Sequence, residues 1–208
     1  TPIQADKKER GPVRLRSALQ FSLNIPSVKA ALINGLDHLL QRMKDFGLEF
    51  PDKTFPVTSM SIGTLGIHPI DLLSAYGAIG NGGVLMPRAM IREVQDAARD
   101  VIFPTEAGPA RGKRVASEQA AYIVTDILQG NTVKSINPFW AKWQILEAGK
   151  RRPAAYKTGT TSDYRDAWFS GYTPEFAASV WIGRDDMRVA LGYGRTGGSA
   201  AAPIWIRF

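Results

Sequence analysis

The feature that most constrains the fold of this chain is a predicted β-hairpin in its C-terminal half. Its parts are a lysine-containing run, a short polar turn and an aromatic-rich run, at residues 155–161, 162–165 and 166–172. Two β-prone runs joined in this way are typical of a hairpin. Because side chains alternate along a strand, Lys157 and Gly159 share one face. Thr158 and Thr160 share the other. A cation, hydroxyls and a bare backbone position together suit an extended substrate that ends in a carboxylate.

The rest of the chain predicts helices first and an antiparallel sheet afterwards. Apolar spacing, capping residues and glycine stops predict helices at 13–24, 27–46, 69–79, 117–130 and 139–148, and the start of another at 200. Ser27 and Ser117 are the predicted N-caps of two of them. Short strands are predicted at 84–86, 91–94, 101–103 and 176–183. This order is typical of an α+β fold in which helices pack on an antiparallel sheet. With 208 residues, one domain with a substantial core is expected.

Composition excludes several kinds of site. The absence of cysteine rules out disulfides, thiolate nucleophiles and cysteine zinc sites. His38 and His68 lie in or beside predicted helices and are interpreted as structural, so we predict neither a metal nor a cofactor. The net charge of +7 is scattered along the chain, which favours a solvated surface over nucleic-acid binding. No apolar run is long enough to cross a bilayer.

A second motif links the hairpin to a known family. Ser22-Leu23-Asn24 stands before a proline, at the end of the first predicted helix. Ser-x-Asn alone is weak evidence, since the chain contains another at 135–137. Together with the lysine run, however, it resembles the second and third motifs of the penicillin-binding transpeptidases, which have a β-lactamase-like fold. Three further segments resemble the class A, bifunctional members, at residues 78–83, 165–174 and 196–205. The similarity covers nearly the whole chain, and the segments follow the order of the family.

The resemblance implies acyl transfer between peptide stems of peptidoglycan that end in D-Ala-D-Ala, and reaction with β-lactams. A serine attacks the penultimate D-Ala carbonyl, D-Ala leaves, and an amine of another stem takes the acyl group. Ser22 would relay a proton between Lys157 and the leaving or attacking amine. Asn24 would hydrogen-bond an amide of the substrate, and Lys157 would keep the local potential positive.

The same resemblance assigns the end of the first hairpin strand to substrate binding. Thr158 and Thr160 would bind the terminal carboxylate, and Thr161 belongs to the same substrate-binding run. The Thr160 N–H would supply half of an oxyanion hole. Gly159 would leave room for the substrate along the strand edge.

One motif of the family is missing. No serine or threonine in this chain has a lysine three residues later, so the family's Ser-x-x-Lys nucleophile and base are absent. We expect residues 1–208 to be a partial transpeptidase domain that lacks this upstream segment and the glycosyltransferase domain, and to be inactive alone. The missing N-terminal half could be a second chain. The stretch 131–153 is longer than usual in the family. The resemblance therefore does not predict the structure of the acceptor-groove wall, although it still predicts the chemistry.

Three other hypotheses about function are compatible with parts of the sequence. A serine β-lactamase or a D,D-carboxypeptidase shares the lysine strand, although no Glu-x-x-x-Asn loop for a hydrolytic water lies between the two motifs. A non-catalytic peptidoglycan sensor would keep the groove without the nucleophile, and a basic nucleic-acid module is the most remote option. The resemblance places the protein on the outer face of the bacterial cytoplasmic membrane, anchored by a segment outside this chain.

Overall fold

Five of the six α-helices in the described residues lie in the first two thirds of the chain, and the largest sheet lies in the last third. The computed structural model describes residues 10–91, 93–104, 111–132, 143–186 and 188–208. The helices are α1 (Leu15–Gln20), α2 (Asn24–Asn34), α3 (Leu36–Asp45), α4 (Pro69–Gly80), α5 (Glu118–Gln129) and α6 (Ala202–Arg207). The strands are β1 (Val84–Leu85), β2 (Glu93–Gln95), β3 (Val101–Pro104), β4 (Lys113–Arg114), β5 (Leu146–Glu147), β6 (Lys150–Arg151), β7 (Ala155–Thr160), β8 (Ala167–Tyr172) and β9 (Ala177–Ile182). Short 3₁₀ segments occur at Thr58–Ile62, Gly130–Thr132 and Ser162–Tyr164, and a π-helical turn occurs at Gly197–Ala201.

The main sheet has three antiparallel strands in the order β7-β8-β9. The predicted hairpin is confirmed, with Lys157 opposite Ser170 and Gly159 opposite Trp168. The other strands form two-stranded pairs, β1 with β4, β2 with β3 and β5 with β6. Within the described residues β7 is therefore an edge strand, and one side of its backbone is open.

Helices cover both faces of this sheet, and two apolar clusters fill the spaces between the layers. On one face Tyr156 and Phe169 pack against Trp205 of α6, and all three are almost fully buried. On the other face Leu128 of α5 packs against side chains of β7 and β8, and side chains of α1 and α4 join the cluster. Neighbouring strands thus bury alternate side chains in two separate layers, as the pleat of a sheet requires. The predicted α+β fold is confirmed.

Several predicted helix ends are confirmed by their capping groups. Ser117 precedes α5, and its hydroxyl accepts a hydrogen bond from the Ala120 N–H at 3.2 Å. Pro69 is the first residue of α4, where its missing N–H has no intrahelical partner to lose.

No helix in the described part of the chain is both long and apolar enough to span a membrane.

The predicted helix at 27–46 is wrong in two respects. It begins at Asn24, and Ser27 lies in the first turn, where its hydroxyl donates to the Leu23 carbonyl at 2.8 Å instead of capping the helix. The helix also ends at Asn34 because Gly35, with a φ of +86°, separates α2 from α3. The apolar spacing continues across Gly35, which is why the sequence predicted one helix.

The predicted helix at 139–148 is also wrong where the structure describes it. Residues 139–142 lie outside the described ranges, and the following stretch forms the hairpin of β5 and β6. Ala148 and Gly149 both have positive φ, as the central residues of a type I′ turn between antiparallel strands require. Two smaller differences are that α1 ends at Gln20 and that α6 begins only after the π-helical turn.

Candidate active site

The hairpin lysine lies next to the serine of the earlier motif. Lys157 Nζ donates a hydrogen bond to Ser22 Oγ at 2.6 Å and another to the Thr158 carbonyl at 3.1 Å. Ser22 and Lys157 are 135 residues apart in the sequence. The structure therefore brings together two of the three predicted catalytic residues, at the open edge of the sheet.

Ser22 occupies an unusual backbone position just after α1. The Leu23 N–H donates to the Ala18 carbonyl at 2.8 Å, and the Ser22 N–H donates to the Leu19 carbonyl at 3.3 Å. These two bonds form a Schellman motif, in which glycine is the usual residue at the position that Ser22 holds. Ser22 has a φ of +56°, which costs a non-glycine residue about 1 kcal/mol. This strained turn presents the serine side chain to solvent and to the lysine.

The third predicted catalytic residue belongs to the same α1–α2 connection. Asn24 is the first residue of α2 and is half-buried. Leu23, between Ser22 and Asn24, is only 5% exposed and fixes the connection to the core. The connection thus carries both polar side chains, while the contact of Asn24 with a substrate amide stays a prediction.

Burial changes the acidity of the lysine. Desolvation lowers the pKa of Lys157 from the usual 10.5 to about 8. At neutral pH the ammonium form still predominates. Within the described residues no carboxylate forms an ion pair with it, so its positive charge is available to an anionic ligand.

The backbone of β7 also points polar groups toward its open edge. The Thr161 N–H donates to the Asp166 carbonyl at 3.2 Å, so residue 161 faces β8. Because the direction alternates along an antiparallel strand, Thr160 and every second residue before it face away from β8. Tyr156 belongs to this set, and its carbonyl accepts from Asn131 Nδ2 at 3.0 Å. The Thr160 N–H therefore points to the open edge of the sheet.

The threonine hydroxyls differ in their surroundings. Thr160 Oγ1 accepts a hydrogen bond from the Gly197 N–H at 3.1 Å. Thr161 Oγ1 accepts from the Asp166 N–H at 2.7 Å and donates to the Asp166 carboxylate at 3.2 Å. Thr158 is half-buried on the same face as Thr160. The Thr161 hydroxyl is thus already used inside the turn, and the geometry lends no support to its predicted contact with substrate.

One supporting residue was missed in the sequence. The Asp166 side chain is buried and accepts a hydrogen bond from Trp181 Nε1 at 2.8 Å in addition to the one from Thr161. It joins the turn after β7 to β9 and so fixes the end of the lysine strand. A signal was present, because an acidic residue stands directly before a strand of aromatic and small side chains. Such a carboxylate needs partners if the strand is buried.

Some candidates lie elsewhere. His38 is exposed on α3 and His68 is exposed at the residue before α4. The second Ser-x-Asn tripeptide and Trp140 lie outside the described residues. Gly159 faces Trp168, whose Cβ would lie 3.2 Å from an added Cβ at residue 159. A side chain at residue 159 would require Trp168 to shift by a few tenths of an ångström, so glycine fits best at this position beside Lys157.

Comparison with known proteins identifies the family. The family model described as the penicillin binding protein transpeptidase domain matches residues 2–206. The chain belongs to this family. It is 33% identical over 175 residues to penicillin-binding protein 2D of Bacillus subtilis, covering 84% of this chain and 24% of the relative. It is 33% identical over 199 residues to penicillin-binding protein 1A of Clostridium botulinum, covering 94% of this chain and 22% of the relative. The chain spans about a quarter of the length of these relatives.

Solved structures agree on the fold of this transpeptidase chain. Penicillin-binding protein 1A of Haemophilus influenzae superposes with a TM-score of 0.84 at 24% identity, covering 99% of this chain and 35% of the other. PonA1 of Mycobacterium tuberculosis, in complex with penicillin V, gives a TM-score of 0.81 at 22% identity, with coverage of 98% and 57%. The class A relationship expected from the sequence is thereby confirmed.

Proposed function

We propose that this chain forms the substrate-binding wall of a serine D,D-transpeptidase site that cross-links peptidoglycan stem peptides and reacts with penicillins. The observation that carries the proposal is the 2.6 Å hydrogen bond from Lys157 Nζ to Ser22 Oγ at the free edge of β7. This contact joins a cation and a hydroxyl at a strand edge that has no neighbouring strand among the described residues, which supports the binding of an extended peptide with a terminal carboxylate.

The catalytic groups come from two parts of the site, this chain and a Ser-x-x-Lys segment that this chain does not contain. The serine of that segment gives its proton to the lysine of the same segment and attacks the penultimate D-Ala carbonyl, forming an ester and breaking the peptide bond; that lysine returns the proton when the ester is cleaved. Ser22 passes a proton to the departing D-Ala amine, with Lys157 behind it as the proton-exchanging partner. In the second step an amine of another stem attacks the ester and gives up a proton along the same route, so that the serine is restored.

The strand edge holds the donor peptide during both steps. The Thr160 N–H, directed away from β8, stabilises the oxyanion of the tetrahedral intermediate. The hydroxyls of Thr158 and Thr160 bind the terminal carboxylate, and Lys157, on the opposite face of β7, keeps the local potential positive. Asn24, at the start of α2, hydrogen-bonds a backbone amide of the donor.

The surface beside Ser22 fits the idea that another segment completes the site. A groove of about 610 Å³ lies between α2 and residues 10–15, which lead into α1, and Leu23 and Ile25, on either side of Asn24, help to line it. Leu15 and Ile33 of the same groove are 69% and 86% exposed. We propose that the Ser-x-x-Lys segment, in the same polypeptide or in a second chain, covers these apolar side chains, and that this chain alone is inactive.

The whole protein is proposed to be a bifunctional cell-wall synthase that works on the outer face of the cytoplasmic membrane. The class A relatives support this assignment through their similarity to most of the chain. A glycosyltransferase domain and a membrane anchor would lie outside residues 1–208.

Labelling with a fluorescent penicillin tests the proposal. The protein that carries this chain together with a Ser-x-x-Lys segment should form a covalent adduct, and the chain alone should not. Lys157→Ala should slow acylation by about 10²-fold or more, since proton transfer and charge stabilisation are both lost. Lys150→Ala, on the exposed strand β6, is the matched control and should react normally.

The products separate the related functions. Cross-linked dimers of stem peptides support transpeptidation, whereas release of D-Ala without dimers indicates a carboxypeptidase. Rapid turnover of a chromogenic cephalosporin indicates a β-lactamase. If the protein with a Ser-x-x-Lys segment takes up no label, the site is not catalytic and the proposal fails.

A further inference from the structure

The hydroxyl of Thr160 accepts a hydrogen bond from a backbone group in another part of the chain. Gly197 N–H donates to Thr160 Oγ1 at 3.1 Å. A hydroxyl has one proton to donate and two lone pairs that accept. Since this N–H occupies a lone pair, the hydroxyl proton needs an acceptor elsewhere. Among the described residues no oxygen accepts it.

The backbone of Gly197 comes close to the hairpin in a way that only glycine permits. A Cβ at residue 197 would lie 2.1 Å from the Trp168 carbonyl oxygen and 2.6 Å from the Gly159 carbonyl oxygen. Both neighbours are backbone atoms of the main sheet, which cannot rotate away as a side chain can. Gly197 is therefore packed directly on β7 and β8.

A capping box fixes the segment that carries Gly197. Thr196 Oγ1 accepts from the Ser199 N–H at 3.2 Å, and the Thr196 N–H donates to Ser199 Oγ at 2.8 Å. Ser199 Oγ also donates to the Gly194 carbonyl at 2.7 Å. These bonds form a capping box at the start of the π-helical turn. The N–H of Gly197 thus reaches Thr160 from a segment that is held by its own hydrogen bonds.

We propose that Gly197 is a positioning residue, whose N–H orients the Thr160 hydroxyl so that its proton is donated to the terminal carboxylate of the D-alanyl donor or of a penicillin. This inference rests on the proposed function. Gly197 itself does not touch the substrate and acts through Thr160. The consequence is a preference for ligands with a free carboxylate.

A pair of ligands that differ only at the carboxylate isolates this effect. Benzylpenicillin and its methyl ester are compared by their second-order rates of acylation, in the protein that includes a Ser-x-x-Lys segment. The ratio of the acid rate to the ester rate reports on carboxylate recognition. Gly197→Ala should lower this ratio about tenfold, the usual weight of one hydrogen bond to a charged group.

Variants of Thr160 show whether Gly197 acts through it. Thr160→Ser keeps the hydroxyl and should retain the ratio, whereas Thr160→Val should lower it as Gly197→Ala does. In the Thr160→Val background, Gly197→Ala should change the ratio less than about twofold, because coupled residues are not additive. A purely structural role would slow both ligands equally, so an unchanged ratio in Gly197→Ala overturns the inference.

The outcomes separate this inference from the proposed function. A wild-type protein that does not react with benzylpenicillin overturns both. A reactive wild type with an unchanged ratio in Gly197→Ala overturns only the role of Gly197. If Gly197→Ala does not fold, Ser199→Ala is the alternative variant, because it removes hydrogen bonds from the same segment at an exposed position. Ser199→Ala should lower the acid-to-ester rate ratio at least about threefold. An unchanged ratio in Ser199→Ala also overturns the inference.

Discussion

Replacing Ser22 by glycine and by alanine separates the backbone strain at this position from the chemistry of its hydroxyl. Both variants lose Oγ and with it the hydrogen bond from Lys157. They differ in how well they tolerate the φ of +56° at the end of α1 and in the backbone entropy of the unfolded chain. The difference in stability between them therefore measures these two backbone contributions and not the loss of the hydroxyl.

The expected magnitude follows from this geometry. Alanine in the left-handed region costs about 1–2 kcal/mol, and glycine costs almost nothing there. Glycine loses about 0.5–1 kcal/mol more than alanine through the entropy of the unfolded chain. Ser22→Gly should therefore be more stable than Ser22→Ala by about 0.5–1 kcal/mol, which is the reverse of the order in a helix interior.

Urea unfolding followed by tryptophan fluorescence is a suitable assay, since the chain has five tryptophans. The difference corresponds to roughly 2 °C in the melting temperature of a domain of this size. Acylation by penicillin should fall in both variants, because each lacks the proton-relaying hydroxyl. If Ser22→Ala is more stable than Ser22→Gly by about 0.5–1 kcal/mol, as the entropy of the unfolded chain alone would give, the left-handed strain at Ser22 is refuted.

Three other changes probe the hairpin. Lys157→Met removes a lysine whose pKa is about 8 in the folded protein and 10.5 in the unfolded chain. As the pH rises from 8 to 10.5, the wild type should therefore gain stability relative to the variant, by up to about 1.4 kcal/mol per pH unit. Urea unfolding at several pH values measures this gain. Asp166→Asn should cost about 1–3 kcal/mol of unfolding free energy, because the amide cannot accept from both Trp181 and Thr161. Phe169→Ala should cost about 3–5 kcal/mol in the same assay, because the fully buried ring packs against Trp205.

Matched controls make these expectations decisive. Asp163→Asn and Phe176→Ala change the same residue types at exposed positions and should stay within about 0.5 kcal/mol of the wild type. Equal effects at Asp163 and Asp166 would contradict the role of the buried carboxylate, and the same holds for Phe176 and Phe169. A stability difference between Lys157→Met and the wild type that is independent of pH would contradict the lowered pKa.

The sequence predicted those elements whose local signals agree with their packing. Alternation and a polar turn sufficed for β7 and β8, and Ser117 marked the start of α5. It failed at Gly35, where an apolar period of 3.6 runs on across a residue that also tolerates a helix interior. It failed again at residues 146–151, because a positive φ at Ala148 is decided by the pairing of β5 with β6 and not by the alanine itself.

The site was only partly predictable for a related reason. The contact between Ser22 and Lys157 joins residues 135 positions apart, and only the resemblance to a family pointed to it. The strained conformation of Ser22 has no local signature, since serine is common at ordinary helix ends. The role of Asp166 and of Gly197 depends on neighbours in three strands and a distant loop. Such contacts are properties of the folded chain and cannot be read from spacing.

The low pKa of Lys157 makes this side chain a candidate target for amine-reactive compounds. At pH 8 about half of the Lys157 amines are unprotonated, whereas a lysine at the usual 10.5 has roughly 0.3% in that form. Electrophiles that react only with free amines, such as aryl sulfonyl fluorides, should therefore modify Lys157 well before the solvent-exposed lysines. A compound of this type that also fits the β7 edge would block the strand without a β-lactam ring, and no β-lactamase would destroy it.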